Sequence, residues 1–441
     1  MNRNKIQNKN IFLVISFKGI GIFLNFLLVP ILILFLGKIE YGVWITIFSM
    51  VNWIFTFDLG IGQGLRNKLT EALSVNDNIK ASQIITTSYV FIFTFSLIIF
   101  IIGLGFIYFV NFQDLLNYKG KSNSYLQNFV FLSLFFTTIN FTVSLYKKLF
   151  LAVHKSFMIE LVNVFFQTFY LIVIFIWLQF NLEKSLTSLI LIFGVINFIA
   201  SLIATFIFFK IKEKVSFSFN NFNLKEGRLL FGLGGKFFII NISLLVILST
   251  DNIIISNLLG PNFVTDYFTI QKIFQFLIVV FTVLLSASWG LYSEAIINKD
   301  FNWIRLNLKK MNFFFLGILI LGFLIFYFIE DILDIWIGKN LVKIPKGLAF
   351  CNLIYTFIFC FTNIYMFFIN ASNKINVQMY LYVFGALLNI PLSIFFVGLL
   401  GTSTGVILST ILCFLPLLVL MPLQCNKIIK KLENESLKEM I

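Results

Sequence analysis

The 441-residue chain alternates long apolar runs with short polar segments. A membrane-spanning helix needs about 20 mainly apolar residues, and each run is long enough to supply one. The apolar/polar alternation typical of membrane-spanning strands is absent from these runs. The pattern therefore predicts about twelve transmembrane helices. Their approximate spans are residues 11–36, 41–62, 83–110, 124–146, 156–179, 185–209, 228–256, 262–291, 311–336, 347–370, 376–400 and 403–424.

Composition supports an integral membrane protein. The chain is 59% hydrophobic and 12% charged, whereas soluble domains average about 25% charged and about 45–50% apolar residues. These values exclude a soluble globular enzyme, a disordered protein and a disulfide scaffold. The first apolar run, residues 11–36, is too long for a signal-peptide core, so we expect it to remain as the first span. The predicted fold class is an all-α integral membrane protein.

Cysteine and histidine give little support for metal or redox chemistry. The chain has four Cys and one His, and no pair of Cys has CxxC spacing. A zinc site requires clustered Cys and His ligands. We therefore expect no metal and no cofactor.

The net charge of +14 becomes informative once each basic residue is assigned to a loop. Of the 33 Lys and Arg, 23 fall in one set of alternate loops and termini, seven in the other set, and three inside spans. Cytoplasmic loops of membrane proteins carry the excess of Lys and Arg. Both termini are therefore predicted to be cytoplasmic, and the charge does not call for nucleic acid. The seven basic residues on the opposite side are Lys38, Lys119, Lys121, Lys184, Lys339, Lys343 and Lys346.

The longest inside loop lies in the middle of the chain and suggests two bundles of six helices. We predict an N-terminal bundle at 1–209, a cytoplasmic linker at 210–227, a C-terminal bundle at 228–424 and a cytoplasmic tail at 425–441. An even number of helices per half makes the halves parallel repeats, related by a pseudo-two-fold axis along the membrane normal. A duplicated bundle of this kind is typical of alternating access.

Three lysines lie inside predicted spans: Lys18, Lys236 and Lys272. A lysine at the centre of a span costs at least about 2.5–3.5 kcal/mol on insertion scales, so it normally faces water or the bundle interior. Asn25 and Gln275 extend polar stripes near two of these lysines. The interpretation is a cationic polar cavity. The alternatives are snorkelling to the interface, most readily for Lys18, pairing of Lys236 or Lys272 with Asp251, and simple helix packing through small polar groups.

A cationic interior selects an anionic substrate, since unit charges 4 Å apart attract by roughly 4 kcal/mol at an effective dielectric of about 20. Phosphate or pyrophosphate fits this charge, and amide and hydroxyl side chains suit sugar hydroxyls. Asp251, late in the seventh span, is a candidate for ion coupling. The glycine-rich segment 232–236 lacks the Walker spacing, so we expect no ATP-driven step within this chain.

Two segments carry a resemblance to a known family. They lie in the first hairpin and in the region of the seventh and eighth spans. They include Tyr41-Gly42-Val43-Trp44, Asp58, Gly60 and Arg66 in the first half, and Asp251-Asn252, Tyr267 and Lys272 in the second. The chain resembles polysaccharide flippases of the Wzx type, which belong to the multidrug/oligosaccharidyl-lipid/polysaccharide (MOP) exporter superfamily.

The resemblance implies a flippase, not an enzyme. The expected activity moves an undecaprenyl-pyrophosphate-linked oligosaccharide, an O-antigen or similar repeat unit, across the bacterial inner membrane for lipopolysaccharide or surface polysaccharide biosynthesis. It also implies that Lys18, Lys236 and Lys272 line the substrate cavity. A polysaccharide polymerase and a chain-length protein are the implied protein partners.

Two other functions compete with this expectation. A cation-coupled multidrug exporter of the same superfamily is expected to carry acidic cavity residues, which the basic interior does not match. A membrane glycan polymerase or ligase typically has one large periplasmic loop, whereas the longest outside segments here, residues 111–123 and 331–346, are short.

Overall fold

The computed structural model describes residues 3–56, 60–230, 235–339 and 341–438. These residues form α-helices and two short 3₁₀ turns, with no strand within the described ranges. The predicted all-α fold is confirmed. The first ten helices are α1 (Arg3–Leu36), α2 (Lys38–Val51), α3 (Ile61–Ser74), α4 (Asn78–Phe109), α5 (Phe112–Leu115), α6 (Asn123–Val143), α7 (Tyr146–Ala152), α8 (Phe157–Gln179), α9 (Leu186–Ile211) and α10 (Leu224–Leu230).

The second half of the chain is equally helical. Its helices are α11 (Gly235–Ser249), α12 (Asp251–Leu259), α13 (Pro261–Ile297), α14 (Phe301–Tyr327), α15 (Ile329–Trp336), α16 (Leu348–Ala371), α17 (Asn376–Leu400) and α18 (Thr404–Lys438). In the part of the chain that the structure describes, eleven helical stretches are long and apolar enough to cross a membrane. A twelfth results if Lys38–Thr56 and Ile61–Ser74, which are bent by 43°, form one span. The predicted number of spans is therefore confirmed as eleven or twelve.

The contacts divide the chain into two compact units, Met1–Phe238 and Ile239–Ile441. The boundary between the units lies in the first turns of α11, so the predicted linker at 210–227 is part of the first unit. The division into bundles at 209 and 228 otherwise stays a prediction.

Helices of the first unit approach closely where glycine replaces a side chain. At Gly21 of α1 an added Cβ would lie 3.7 Å from Gln167 Oε1 of α8. At Gly194 of α9 it would collide with the ring of Phe136 on α6. Small residues allow such contacts between membrane helices. The helix pairs α1–α8 and α6–α9 are accordingly among the main contacts of this unit.

The linker after α9 is docked on α4. Its backbone N–H groups donate to hydroxyls of α4: Ser216 to Ser82 Oγ at 3.1 Å and Asn223 to Thr87 Oγ1 at 3.0 Å. We call residues 215–223 the strap, and its first residue, Val215, is buried. Three of its backbone N–H groups donate to hydroxyls of α4, so the strap is held although it forms no strand and only one short 3₁₀ turn.

The second unit is built around α13, α16 and α18. Two tight hairpins turn at glycines with positive φ, α12–α13 at Gly260 (φ 101°) and α17–α18 at Gly401 (φ 64°). The combination of φ 101° and ψ 160° at Gly260 is essentially restricted to glycine, and the positive φ at Gly401 also favours glycine. The hairpin at Gly260 places α12 and α13 side by side, which brings residues equally far from the turn to the same depth.

Candidate functional site

The span Gly235–Leu259 is interrupted at Thr250, where α11 ends and α12 begins. The carbonyl of Thr250 accepts the N–H groups of Ile253 and Ile254, each at 3.0 Å, and so starts the new helix. Asp251 is the first residue of α12. A carboxylate at a helix N-terminus is stabilised by the helix dipole. Interrupted helices also form the ion and substrate sites of many transporters.

The Asp251 carboxylate lies in the protein interior, with 1% of the residue exposed. The hydroxyl of Tyr267, on α13, donates to Asp251 Oδ2 at 2.6 Å. Gln271 Nε2 in turn donates to the Tyr267 hydroxyl oxygen at 3.3 Å. No described residue donates a hydrogen bond to Asp251 Oδ1, which is enclosed. An unmet buried carboxylate oxygen is costly, so this atom is the natural place for a proton or a cation.

Polar groups on neighbouring helices lie near this carboxylate or near one another. Tyr355 of α16 and Cys413 of α18 are within electrostatic range of Asp251. On α17, Asn389 Nδ2 donates to Thr410 Oγ1 of α18 at 3.3 Å, and Asn389 Oδ1 is enclosed without a donor in the described ranges. Among the described residues, no group of three or more His, Cys, Asp or Glu side chains is arranged to hold a metal ion. With one carboxylate, the cluster suits a single positive charge.

Lys272 lies deep in α13. It is eleven residues after Pro261, so at about 1.5 Å per residue it is about 17 Å from the helix start, near the middle of a hydrocarbon core about 30 Å thick. Its side chain is half-buried, and its Nζ is 5.6 Å from the centroid of the Phe268 ring. Gln275, less than one turn further on, is exposed. The sequence had left open a pairing of Asp251 with Lys236 or Lys272. The hydrogen-bond partner of Asp251 in the structure is Tyr267.

In the first unit, Lys18 and Asn25 are half-buried on α1. They flank Gly21, where α1 meets Gln167 of α8, and Gln167 Oε1 is enclosed without a donor among the described residues. Between Lys18 and Asn25, α1 therefore packs against a polar side chain of α8. Lys236 is the second residue of α11 and is exposed, and residues 231–234, which precede this helix in the chain, lie outside the described residues.

In the first-hairpin motif, Gly60 and Arg66 lie near the start of α3. Gly60 adopts φ 82° immediately before α3, and its carbonyl accepts the N–H of Gly64 at 2.9 Å. Arg66 is exposed on α3. Asp58, also predicted from this motif, lies outside the described residues.

The chain was compared with protein-family models, with curated proteins and with solved structures. No family model matches the chain. It is 24% identical over 378 residues to a protein of Yersinia pseudotuberculosis named as an O-antigen export protein, covering 81% of each chain. It is 24% identical over 398 residues to a Salmonella typhi protein named as an O-antigen transporter, covering 86% of this chain and 88% of the relative.

A solved inward-facing multidrug resistance MATE family transporter of the MOP superfamily superimposes with a TM-score of 0.74 at 13% identity, covering 93% of this chain and 96% of the other. The chain has the fold of the MOP-superfamily transporters. The two O-antigen relatives confirm the resemblance predicted from the sequence. Their names, exporter and transporter, also confirm that this MOP-fold protein is a multi-pass membrane transporter and not an enzyme.

Within the MOP fold, the structure brings together one pair of the predicted residues, Asp251 and Tyr267. The sequence had suggested Tyr267 only as part of a motif. A usable signal was present, because Asp251 lies nine residues before Gly260 and Tyr267 seven residues after it. Residues so placed across a tight hairpin lie at similar depth. The contributions of Tyr355, Asn389 and Cys413 had no comparable signal, since they come from three other helices.

Proposed function

We propose that the protein flips an undecaprenyl-pyrophosphate-linked oligosaccharide, an O-antigen or similar repeat unit, across the bacterial inner membrane by alternating access. Two relatives named for O-antigen export or transport support this, since each match covers more than four-fifths of both chains. The transported unit would serve lipopolysaccharide or surface polysaccharide biosynthesis. A polysaccharide polymerase and a chain-length protein are the proposed partners, and neither ATP nor nucleic acid is required.

The partial burial of Lys272 within a span is the main structural support for an anionic substrate. Lys272 is half-buried eleven residues after the start of α13, and inside a span a lysine needs water, an anion or another polar partner. Lys18 adds a second half-buried cation on α1. Lys236, whose side chain is exposed on α11, is the third proposed cation for the anionic head group.

The orientation proposed here has both termini in the cytoplasm. It rests on the 23 basic residues on one side against seven on the other. In this orientation the strap and the start of α14 are cytoplasmic.

Asp251 is the proposed coupling site. Its enclosed Oδ1 can take up one proton or one monovalent cation, and its position at the start of α12 links that event to a break in the span. An Asp251→Asn variant in proteoliposomes should transport at a rate independent of an imposed proton or sodium gradient. Full gradient dependence in this variant would exclude the role.

The proposed cationic cavity predicts the effect of a triple substitution. Changing Lys18, Lys236 and Lys272 to Ala should abolish surface glycan in a flippase-null strain, because the anionic head group loses its counter-charges. Surface glycan is measured by gel and immunoblot, alongside the amount of inserted protein.

The matched control removes the same charge from a loop. Lys339, Lys343 and Lys346 lie between α15 and α16, and their triple Ala variant should restore surface glycan. If the span variant inserted normally and also restored glycan, the cationic-cavity proposal would be wrong.

A second candidate function is multidrug export. The solved structure that supports it is named as a multidrug resistance transporter and has a TM-score of 0.74 against this chain. Expression in a drug-sensitive strain separates the two candidates, since a drug exporter raises drug tolerance whereas a dedicated flippase leaves it unchanged.

A further inference from the structure

A groove opens between α13 and α14 in the second unit. Its volume is about 530 Å³, within the range of about 300–1,000 Å³ typical of sites for small molecules. Three polar side chains, Ser288, Asn307 and Lys310, share the lining with Trp303 and with apolar residues that include Leu284 and Phe314. The groove is separate from the Asp251 cluster, which involves none of these residues.

The apolar rim of the groove is exposed. The exposed fractions are 45% for Leu284, 65% for Leu306 and 40% for Phe314. In a membrane protein such side chains face acyl chains, so the groove opens toward lipid.

The polar part of the groove lies toward the start of α14, from which the Lys310 side chain can extend to the level of the lipid head groups. Lys310 is nine residues after Phe301, about 14 Å from the start of α14. The whole helix of 27 residues is about 40 Å long, which exceeds the hydrocarbon thickness of about 30 Å. The first turns of α14 therefore extend into the head-group region, with Trp303 at the level where membrane tryptophans concentrate. Leu284 and Phe314 lie deeper.

Asn307 lies on the polar floor of the groove, and its enclosed side-chain amide lies beside the Tyr292 hydroxyl. Lys310 supplies one positive charge beside it, with its Nζ 5.8 Å from the Phe314 ring centroid. Arg305, on the same helix, is engaged with Glu433 at 2.7 Å.

We propose that this groove binds the phosphate head group of an anionic phospholipid of the cytoplasmic leaflet, with an acyl chain along Leu284 and Phe314. One lysine matches the single negative charge of a phosphodiester. A pyrophosphate-linked oligosaccharide carries more charge and more volume than one lysine and this groove accommodate. The groove is thus a lipid site separate from the transport path, and it does not depend on the proposed substrate.

Two adjacent lysines provide a matched test. Both lysines are exposed, but only Lys310 is among the residues that line the groove. Purified protein is titrated with phosphatidylglycerol in detergent, and retained lipid is counted by native mass spectrometry. Lys310→Ala should weaken retention about tenfold, as expected for losing one hydrogen bond to a charged group. Lys309→Ala should change it by less than about twofold.

Further variants and lipids distinguish among the molecules that could occupy the groove. Asn307→Leu should also weaken phosphatidylglycerol retention, and Lys310→Arg should preserve it. Equal losses in Lys309→Ala and Lys310→Ala would overturn the proposal, because they would indicate general surface charge. Equal retention of phosphatidylcholine, which has no net charge, would overturn it as well. Retention of undecaprenyl phosphate in place of phosphatidylglycerol would assign the groove to the substrate lipid and contradict the proposal.

Discussion

Asp251 and Tyr267 lie on the two sides of the hairpin that turns at Gly260, and their hydrogen bond of 2.6 Å joins α12 to α13. The bond is charge-assisted whenever Asp251 is ionised, which makes it one of the stronger side-chain contacts in the second unit. It also leaves one carboxylate oxygen for a second partner. At the scale of single residues, this pair combines a structural contact with a place for a proton or cation.

A Tyr267→Phe variant should lower the free energy of unfolding by about 1–2 kcal/mol, because it removes a charge-assisted donor from a buried carboxylate. Denaturation of the purified protein in detergent measures this loss. Tyr382→Phe is the matched control, since the Tyr382 hydroxyl, on an equally buried ring, contacts only the weak acceptor Met366 Sδ at 3.4 Å. The control should lose about half a kcal/mol or less. Equal losses for the two variants would indicate that the Asp251 bond adds nothing specific.

At the scale of elements, several segments depart from simple straight spans. The seventh span is interrupted at Thr250, the pair α2 and α3 is bent by 43°, and the strap is docked on α4. Each depends on local chemistry, through a carbonyl that starts a new helix, the positive φ of Gly60 and hydroxyls that satisfy linker backbone. Hydropathy alone does not reveal these features, since it gives the seventh span as one uniform run and the strap only as part of a polar linker.

The strap should detach when Thr87 is changed to Val. Thr87 Oγ1 accepts the N–H of Asn223 at 3.0 Å and donates to its carbonyl at 3.4 Å, and valine keeps the shape without either bond. A loss of about 1–2 kcal/mol in local stability raises the open population roughly five- to thirtyfold. Chymotrypsin should therefore cut faster after Phe217, Phe219 or Phe222.

The control for this cleavage is Thr94→Val on the same helix. Thr94 bonds only to the Val90 carbonyl of α4 at 2.8 Å and leaves the strap untouched. Its cleavage rate should match that of the unmodified chain. Unchanged cleavage in Thr87→Val would mean that the strap is held by other contacts, such as the packing of Phe217 on Tyr89.

At the scale of the whole molecule, the helical plan could be predicted because hydrophobic length alone decides whether a segment spans a bilayer. The candidate site could be predicted less completely from hydrophobic length. The neighbours of Asp251 depend on how α12, α13, α16, α17 and α18 pack, and no local pattern encodes that packing.

Translocation by the purified protein tests the central claim most directly. The protein is reconstituted into liposomes with undecaprenyl-pyrophosphate-linked oligosaccharide, and exposure of the glycan to an added glycosidase is followed over time. We predict that the protein makes the inner-leaflet glycan accessible faster than in protein-free vesicles, and that Lys272→Ala is slower at equal reconstitution. A rate equal to that of protein-free vesicles, in vesicles that contain folded protein, would contradict the flippase account.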